Sequence, residues 1–299
     1  MSLKSTQDAA LNKARNRQHY NSLLRSTSID RIVEKVERAD AFLDDATRTG
    51  TSWVALYSGG FRERLRGAKV LELGSGDGLN SCIMAAMGAD VVSVDISEVA
   101  VDMLNTSARR LGLGSRIHAM AGDFASIPMP LRQFDFVVGK AFLHHLTHEV
   151  EEAYLRKVAA VLRPGGEARF SEPAINSLLL DSLRWVIPVP GRPSSLNVKA
   201  FVRYKEDDPH PVRDNSSAHY RESASRLFAS VTIVPLGSLE RFERFLPPGK
   251  LSESFSRFAF RTERLLPAWF RMKTARAQLL VFREPRQNTA VIGTLAESP

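Results

Sequence analysis

Between Val70 and Gly78 the chain reads Val-Leu-Glu-Leu-Gly-Ser-Gly-Asp-Gly, three glycines at alternate positions placed between a short, mostly apolar run and the apolar stretch 79–87. That pattern predicts a strand, a tight turn and a helix N-terminus. Glycine lacks the Cβ that would hold a ligand away from the backbone, and the first N–H groups of a helix have no intrahelical acceptor, so the turn favours a polar or anionic ligand. The spacing departs from the dinucleotide fingerprint, in which a third glycine stands three residues after the second: here position 79 is Leu and the third glycine is Gly78. A pyrophosphate is therefore the weaker reading of this turn.

Further strand-like runs follow at regular intervals. Residues 91–94 end in Asp95, 21 residues beyond Gly74, where a carboxylate can accept hydrogen bonds from ribose hydroxyls. Residues 117–121 end in Gly122-Asp123-Phe124, an acidic acceptor beside an aromatic ring that suits the edge and face of an adenine. Residues 134–138 run into Gly139-Lys140-Ala141-Phe142-Leu143-His144-His145, and Leu162-Arg163-Pro164-Gly165-Gly166 leads into a fifth run at 168–171. Strands alternating with helical stretches predict an α/β protein with a parallel sheet.

With these motifs in register, residues 65–175 resemble a class I S-adenosylmethionine-dependent methyltransferase of the small-molecule type. The resemblance implies a Rossmann-like doubly wound seven-stranded sheet with an N-terminal helical lid and a cap insertion after the fifth strand, with S-adenosyl-L-methionine as cofactor and S-adenosyl-L-homocysteine as product. It assigns Glu72, Gly74, Ser75, Gly76, Gly78 and Asn80 to the glycine loop around the methionine end, and Asp95 with Ile96 to the ribose. Gly122, Asp123 and Phe124 fall to the adenine, Lys140 to the methionine carboxylate, and Tyr20 and Trp53, with Tyr57, to the lid. Each of these aromatics reads first as a core or packing residue and second as part of the lid.

Methyl transfer from a sulfonium needs a placed nucleophile and the exclusion of water; a base is needed only where the acceptor arrives protonated. The candidates are His144 and His145 after the fourth strand, with His144 taken to face the pocket, Glu172 beyond the fifth strand, and His210, which Pro209 and Pro211 flank. A salt bridge for Glu172 and a turn role for His210 stay open, and no metal set is expected. The run Gly139-Lys140-Ala141-Phe142 stands where amino methyltransferases of nucleic acids carry an Asn/Asp-Pro-Pro-Tyr-like tetrapeptide, which argues against exocyclic base amines as acceptors.

The expected organisation is a helical lid at 1–60, with helices at 8–24 and 29–46; the cofactor-binding core at 61–172; a proline-broken acceptor cap at 173–228, shaping an apolar pocket; completion of the sheet at 229–286; and a flexible tail at 287–299. The sheet completion comprises strands at 231–234 and 278–282, the last antiparallel, and a helix at 251–260 with Phe255 and Phe258 inward.

A chain of 299 residues, 43% hydrophobic, can bury a sizeable core. The lone Cys82 suits a reducing cytoplasm, and neither a signal core nor a membrane-spanning stretch is read, so the expectation is a soluble cytoplasmic protein. The net charge of +8 is interleaved with acids, as in Arg62-Glu63-Arg64 and Glu240-Arg241-Phe242-Glu243-Arg244, which reads as solvated helix faces and speaks against a nucleic-acid partner. The favoured function is O- or N-methylation of a small molecule; methylation of RNA or protein through the basic surface is the alternative, and a cofactor-binding module without catalysis a third. The acceptor's identity and the oligomeric state stay open.

Overall fold

Strand β1 (Lys69–Leu73) is buried over its last four residues, as a central strand covered on both faces must be. The computed structural model describes residues 3–189 and 192–286, so the expected tail at 287–299 lies outside the described residues. Parallel to β1 run β2 (Asp90–Asp95), β3 (Ile117–Ala121), β4 (Phe134–Lys140) and β5 (Leu162–Pro173). Two later strands, β6 (Phe228–Leu236) and β7 (Ala277–Pro285), complete a seven-stranded sheet of order β3-β2-β1-β4-β5-β7-β6, in which β7 is antiparallel to both neighbours. The expected turn at 162–166 lies within β5, where the pairing with β4 shifts register.

The chain leaves β1 toward β2 and β3 and returns to β4 on the other side of β1. A crevice opens outside the carboxyl ends of the strands at such a reversal. Alternation along β1 decides which residues reach it and which are buried: Val70 joins the apolar layer on one face, Leu71 and Leu73 the layer on the other. Glu72 falls on the Val70 side and is buried there.

The N-terminal region forms α1 (Leu3–Leu24), α2 (Ile29–Glu37), α3 (Ala39–Thr49) and α4 (Thr51–Leu56). The single helix expected at 29–46 is broken at Arg38, whose φ of −115° and ψ of 39° leave the helical region. The break lets Ile32, Val33 and Val36 pack toward the sheet helices while Ala39, Leu43 and Ala46 turn toward α4 and the C-terminal region. Sheet helices α5 (Leu79–Ala86), α6 (Glu98–Arg110) and α7 (His148–Val161) follow the strands. The segment after β5 holds α8 (Leu178–Val186), α9 (Val198–Glu206) and α10 (Ser217–Ser225).

Between β6 and β7 lie α11 (Lys250–Thr262) and α12 (Ala268–Thr274). Helix α11 buries Ser252, Ser256, Ala259 and Phe260, so Phe258, expected inward, is exposed and Phe255 half-buried: the small-residue stripe allows close approach to α3. Among the described residues no helix is long and apolar enough to cross a membrane.

Candidate active site

A cavity of about 280 Å³ occupies the crevice, floored by the glycine turn and the ends of β2, β3 and β4, and walled by Asn12, Lys13, Asn16 and Tyr20 of α1. Gly74, Gly76, Asp95, Ile96, Gly122, Phe124 and Lys140 all line it. The glycines do different jobs. At Gly76, with φ of +53°, a Cβ would meet no atom within 4 Å, so its backbone is open to a ligand. At Gly78, with φ of +78°, a Cβ would come within 3.0–3.1 Å of Leu104, so this glycine serves the packing of α5 on α6.

Asp95 gathers the turn. Its Oδ2 accepts from the Gly76 N–H at 3.0 Å and lies 3.5 Å from Ser75 Oγ, while Oδ1 accepts from the Ser97 N–H at 2.8 Å. Burial raises its pKa against the pull of these donors. Glu72 sits beneath the turn, accepting from Asn80 Nδ2 at 2.6 Å and from Ser81 Oγ, and Tyr57 donates to Asn80 Oδ1 at 2.9 Å. Burial lifts Glu72 from 4.5 to about 7. The neighbouring Lys140 is lowered by the same burial, opposed by Asp77 and Glu72, and its Nζ lies 4.3 Å from the centre of the Trp53 ring. Trp53 thus reaches the cavity through Lys140 and does not itself line it.

Asp123 is placed differently from its neighbours. Gly122 and Phe124 line the cavity, whereas the Asp123 carboxylate pairs with Lys13 and accepts from Tyr154 Oη at 2.5 Å and the Ala125 N–H at 3.0 Å. Burial alone would raise its pKa, but Lys13 and Tyr154 hold it below the usual carboxylate range.

Beyond β4, Ala141 adopts φ of +55°, the left-handed region that non-glycine residues seldom enter, and the chain turns sharply through Leu143–His145. Glu172 builds this turn: it accepts from the N–H groups of Phe142 at 2.9 Å, Leu143 at 2.8 Å and His144 at 3.3 Å, and holds His144 Nδ1 at 2.7 Å. His144 is drawn toward β5, and His145 is the histidine that lines the cavity, the reverse of the sequence expectation. His145 Nδ1 lies 2.9 Å from Asn16 Oδ1 and Nε2 lies 3.0 Å from Tyr20 Oη, which places its proton on Nδ1. Burial, with His144 and His210 nearby, drives its pKa down to about 2, so the ring is neutral.

His210 stacks on both rings, at centroid distances of 5.0 Å from His144 and 4.3 Å from His145, with its Nδ1 held by Asp208. The Pro209 carbonyl before it accepts from Asn12 and Asn16 at 3.2 and 3.3 Å. The structure therefore brings together His144, His145, His210, Glu172 and Tyr20, from four separate parts of the chain. The three imidazoles each offer a nitrogen within 4.8 Å of the others, a spacing a metal ion would accept, although both His145 nitrogens are already hydrogen-bonded. Arg213, not foreseen from the sequence, donates to the carbonyls of Leu143 at 2.8 Å and Leu146 at 2.7 Å while paired with the buried Glu151.

A second cavity, of about 240 Å³, meets the first at Ala141 beneath α8. The apolar acceptor pocket expected there is instead lined by several arginines, and the cap leucines Leu178 and Leu179 are exposed. Lys13, Asn16 and Tyr154 of the first cavity and the arginines of the second escaped sequence reading, because isolated polar residues on a helix carry no local mark of the cavity they face.

Residues 70–166 match the family model described as a methyltransferase domain. Over 106 residues the chain is 39% identical to the cypemycin N-terminal methyltransferase of a Streptomyces species, covering 35% of this chain and 41% of that protein. Over 107 residues it is 31% identical to the ubiquinone biosynthesis O-methyltransferase of Coxiella burnetii, covering 36% and 44%. The chain thus spans less than half the length of these curated relatives. Among solved structures it is similar to Haemonchus contortus phosphoethanolamine N-methyltransferase 2 in complex with phosphomonomethylethanolamine and S-adenosylhomocysteine, with a TM-score of 0.51 at 11% identity, covering 88% of this chain and 61% of that one. Sheet order, glycine turn and matched segment agree: residues 70–166 are similar to a methyltransferase domain, set in a seven-stranded sheet whose glycine turn opens on the crevice.

Proposed function

We propose that the chain binds S-adenosylmethionine in the cavity at the glycine turn and methylates an O or N atom of a small molecule. One observation carries this reading: Gly76, Asp95, Gly122 and Phe124 converge on a single cavity at the reversal point of a class I sheet. The fit is physical. Gly76 leaves open backbone where a ligand must approach, and Asp95 presents a carboxylate at the end of β2 within reach of a ribose. Gly74 and Lys140 stand at the methionine end, above the buried Glu72, Asn80 and Ser81 layer, and Gly122 with Phe124 at the adenine end. Tyr20 and the other α1 residues cover the cavity and exclude water. When bound, the cofactor supplies an electrophilic methyl group.

Of the three histidines His144 keeps the free nitrogen a base needs, but it lines neither cavity, so proton removal from the acceptor is not assigned to it. Glu172 fixes the proton of His144 on Nδ1, which leaves Nε2 as the acceptor, and among the described residues Nε2 has no hydrogen-bond partner. His145, neutral and held on both nitrogens, shapes the wall instead, and His210 packs over the pair. The two curated relatives described above are named for an N-terminal and an O-methylation, which supports N or O as the reacting atom without deciding between them. Both cavities are of small-molecule dimensions, which favours a compact acceptor over RNA or protein. The buried Cys82, its thiol raised by burial to about 12, fits a reducing cytoplasm.

The test is calorimetry with S-adenosylhomocysteine on the wild type and Asp95→Ala. Loss of charge-assisted hydrogen bonds should weaken binding by about 1–3 kcal/mol, roughly 5- to 150-fold. Equal affinities would remove Asp95 from the ribose.

A further inference from the structure

The second cavity carries an electrostatic imbalance that the fold does not resolve. Five cationic side chains, Arg184, Arg241, Arg244, Lys273 and Arg276, line it against two carboxylates, Asp181 and Glu172. Glu172 is committed to the turn after β4 and to His144. Asp181 approaches Arg184 only to 3.6 Å, and Arg276 pairs with Glu240 at 2.9 Å. Among the described residues Arg241, Arg244 and Lys273 pair with no carboxylate, and the buried Nε atoms of Arg184 and Arg244 have no hydrogen-bond partner.

Two further features argue that the arginines face inward for a reason other than packing. In the short turn Glu240–Phe245 the ordinary preference is inverted: Phe242 and Phe245 are 51% and 55% exposed, while Arg241 and Arg244 line the cavity. Burial, and then repulsion from Arg276 and Arg184, lowers the pKa of both. Guanidinium groups crowded in a partly buried space repel one another, and an oxyanion accepting from their forked N–H groups turns that repulsion into charge-assisted hydrogen bonds.

We propose that this cavity binds an oxyanion, a phosphate or a carboxylate, carried by the methyl acceptor, with Arg241 and Arg244 as its principal ligands and Arg184, Lys273 and Arg276 around them. The assignment rests on the methyltransferase reading. Ala141, shared by both cavities, marks where the acceptor's reacting atom passes from the arginine cavity toward the cofactor cavity. The volume of about 240 Å³ suits the anionic part of a compact molecule and not a polymer.

The test uses the full chain, with inorganic phosphate and malonate as probes of the two oxyanion types and S-adenosylhomocysteine as a separate probe of the cofactor cavity. Calorimetry and thermal unfolding are recorded for wild type, Arg244→Lys, Arg244→Gln and Arg241→Gln/Arg244→Gln. At least one probe should bind the wild type, and the double variant should bind it about 10- to 100-fold more weakly, with Arg244→Lys intermediate. Affinity for S-adenosylhomocysteine should not change. Without anion, the double variant should melt at or above the wild-type temperature, because repulsion has been removed; a packing role would give a lower one. The better-bound probe assigns phosphate or carboxylate. Binding of neither, or equal binding by wild type and double variant, would overturn the proposal while leaving the methyltransferase reading intact. Anion binding without S-adenosylhomocysteine binding would overturn that reading and the acceptor role with it.

Discussion

Glu72→Gln offers the sharpest probe of the layer beneath the glycine turn. Glu72 is 1% exposed and burial lifts its pKa from 4.5 to about 7. Below pH 4.5 the group is protonated in both the folded and the unfolded chain. Between 4.5 and about 7 the unfolded chain has released the proton and the folded chain keeps it, so stability falls as pH rises, and above that window the loss is complete. At about 1.4 kcal/mol per pH unit the loss amounts to about 3 kcal/mol. Glutamine cannot accept from both Asn80 and Ser81, which costs about 1 kcal/mol, but that cost is the same at every pH. Urea unfolding of both proteins from pH 4.5 to 8 should therefore give curves that diverge, with the variant gaining about 3 kcal/mol relative to wild type across the window. Lys140→Met removes the positive charge that draws Glu72 down and should extend the upper end of the window to higher pH, the lower end staying where the unfolded chain sets it. Parallel stability curves for wild type and Glu72→Gln would refute the claim that burial governs this carboxyl.

Arg213→Met removes a side chain that is 2% exposed, leaves Glu151 with only His219, and frees the carbonyls of Leu143 and Leu146. It should cost about 3–5 kcal/mol by urea unfolding, with Arg213→Met/Glu151→Gln recovering part of the loss. Gly78→Ala should lower stability by about 2–4 kcal/mol, from the left-handed backbone and the contact with Leu104, while leaving S-adenosylhomocysteine affinity near wild type. A selective loss of affinity would return Gly78 to the cofactor site.

Local pattern was enough to place the central elements. The strand expected at 117–121 is β3 to the residue, and the alternation of apolar strands with helices, together with the glycine turn and its spacing to Asp95, carried the sheet and the cavity at its carboxyl end. Strand and helix periods are written in neighbouring residues, and three alternating glycines mark a left-handed turn locally. Facing was not so written. Asp123 turns to Lys13, 110 residues away, and Glu172 draws His144 from the cavity across 28 residues, so the histidine that lines the wall is its neighbour. Arg184, Arg241, Arg244, Lys273 and Arg276 read as ordinary solvated charges, and only the packing of α8, the Glu240–Phe245 turn and α12 against the ends of β5 and β7 gathers them around one space. Their mutual repulsion exists only at the short distances the folded chain imposes, so no stretch of sequence taken alone carries a sign of it.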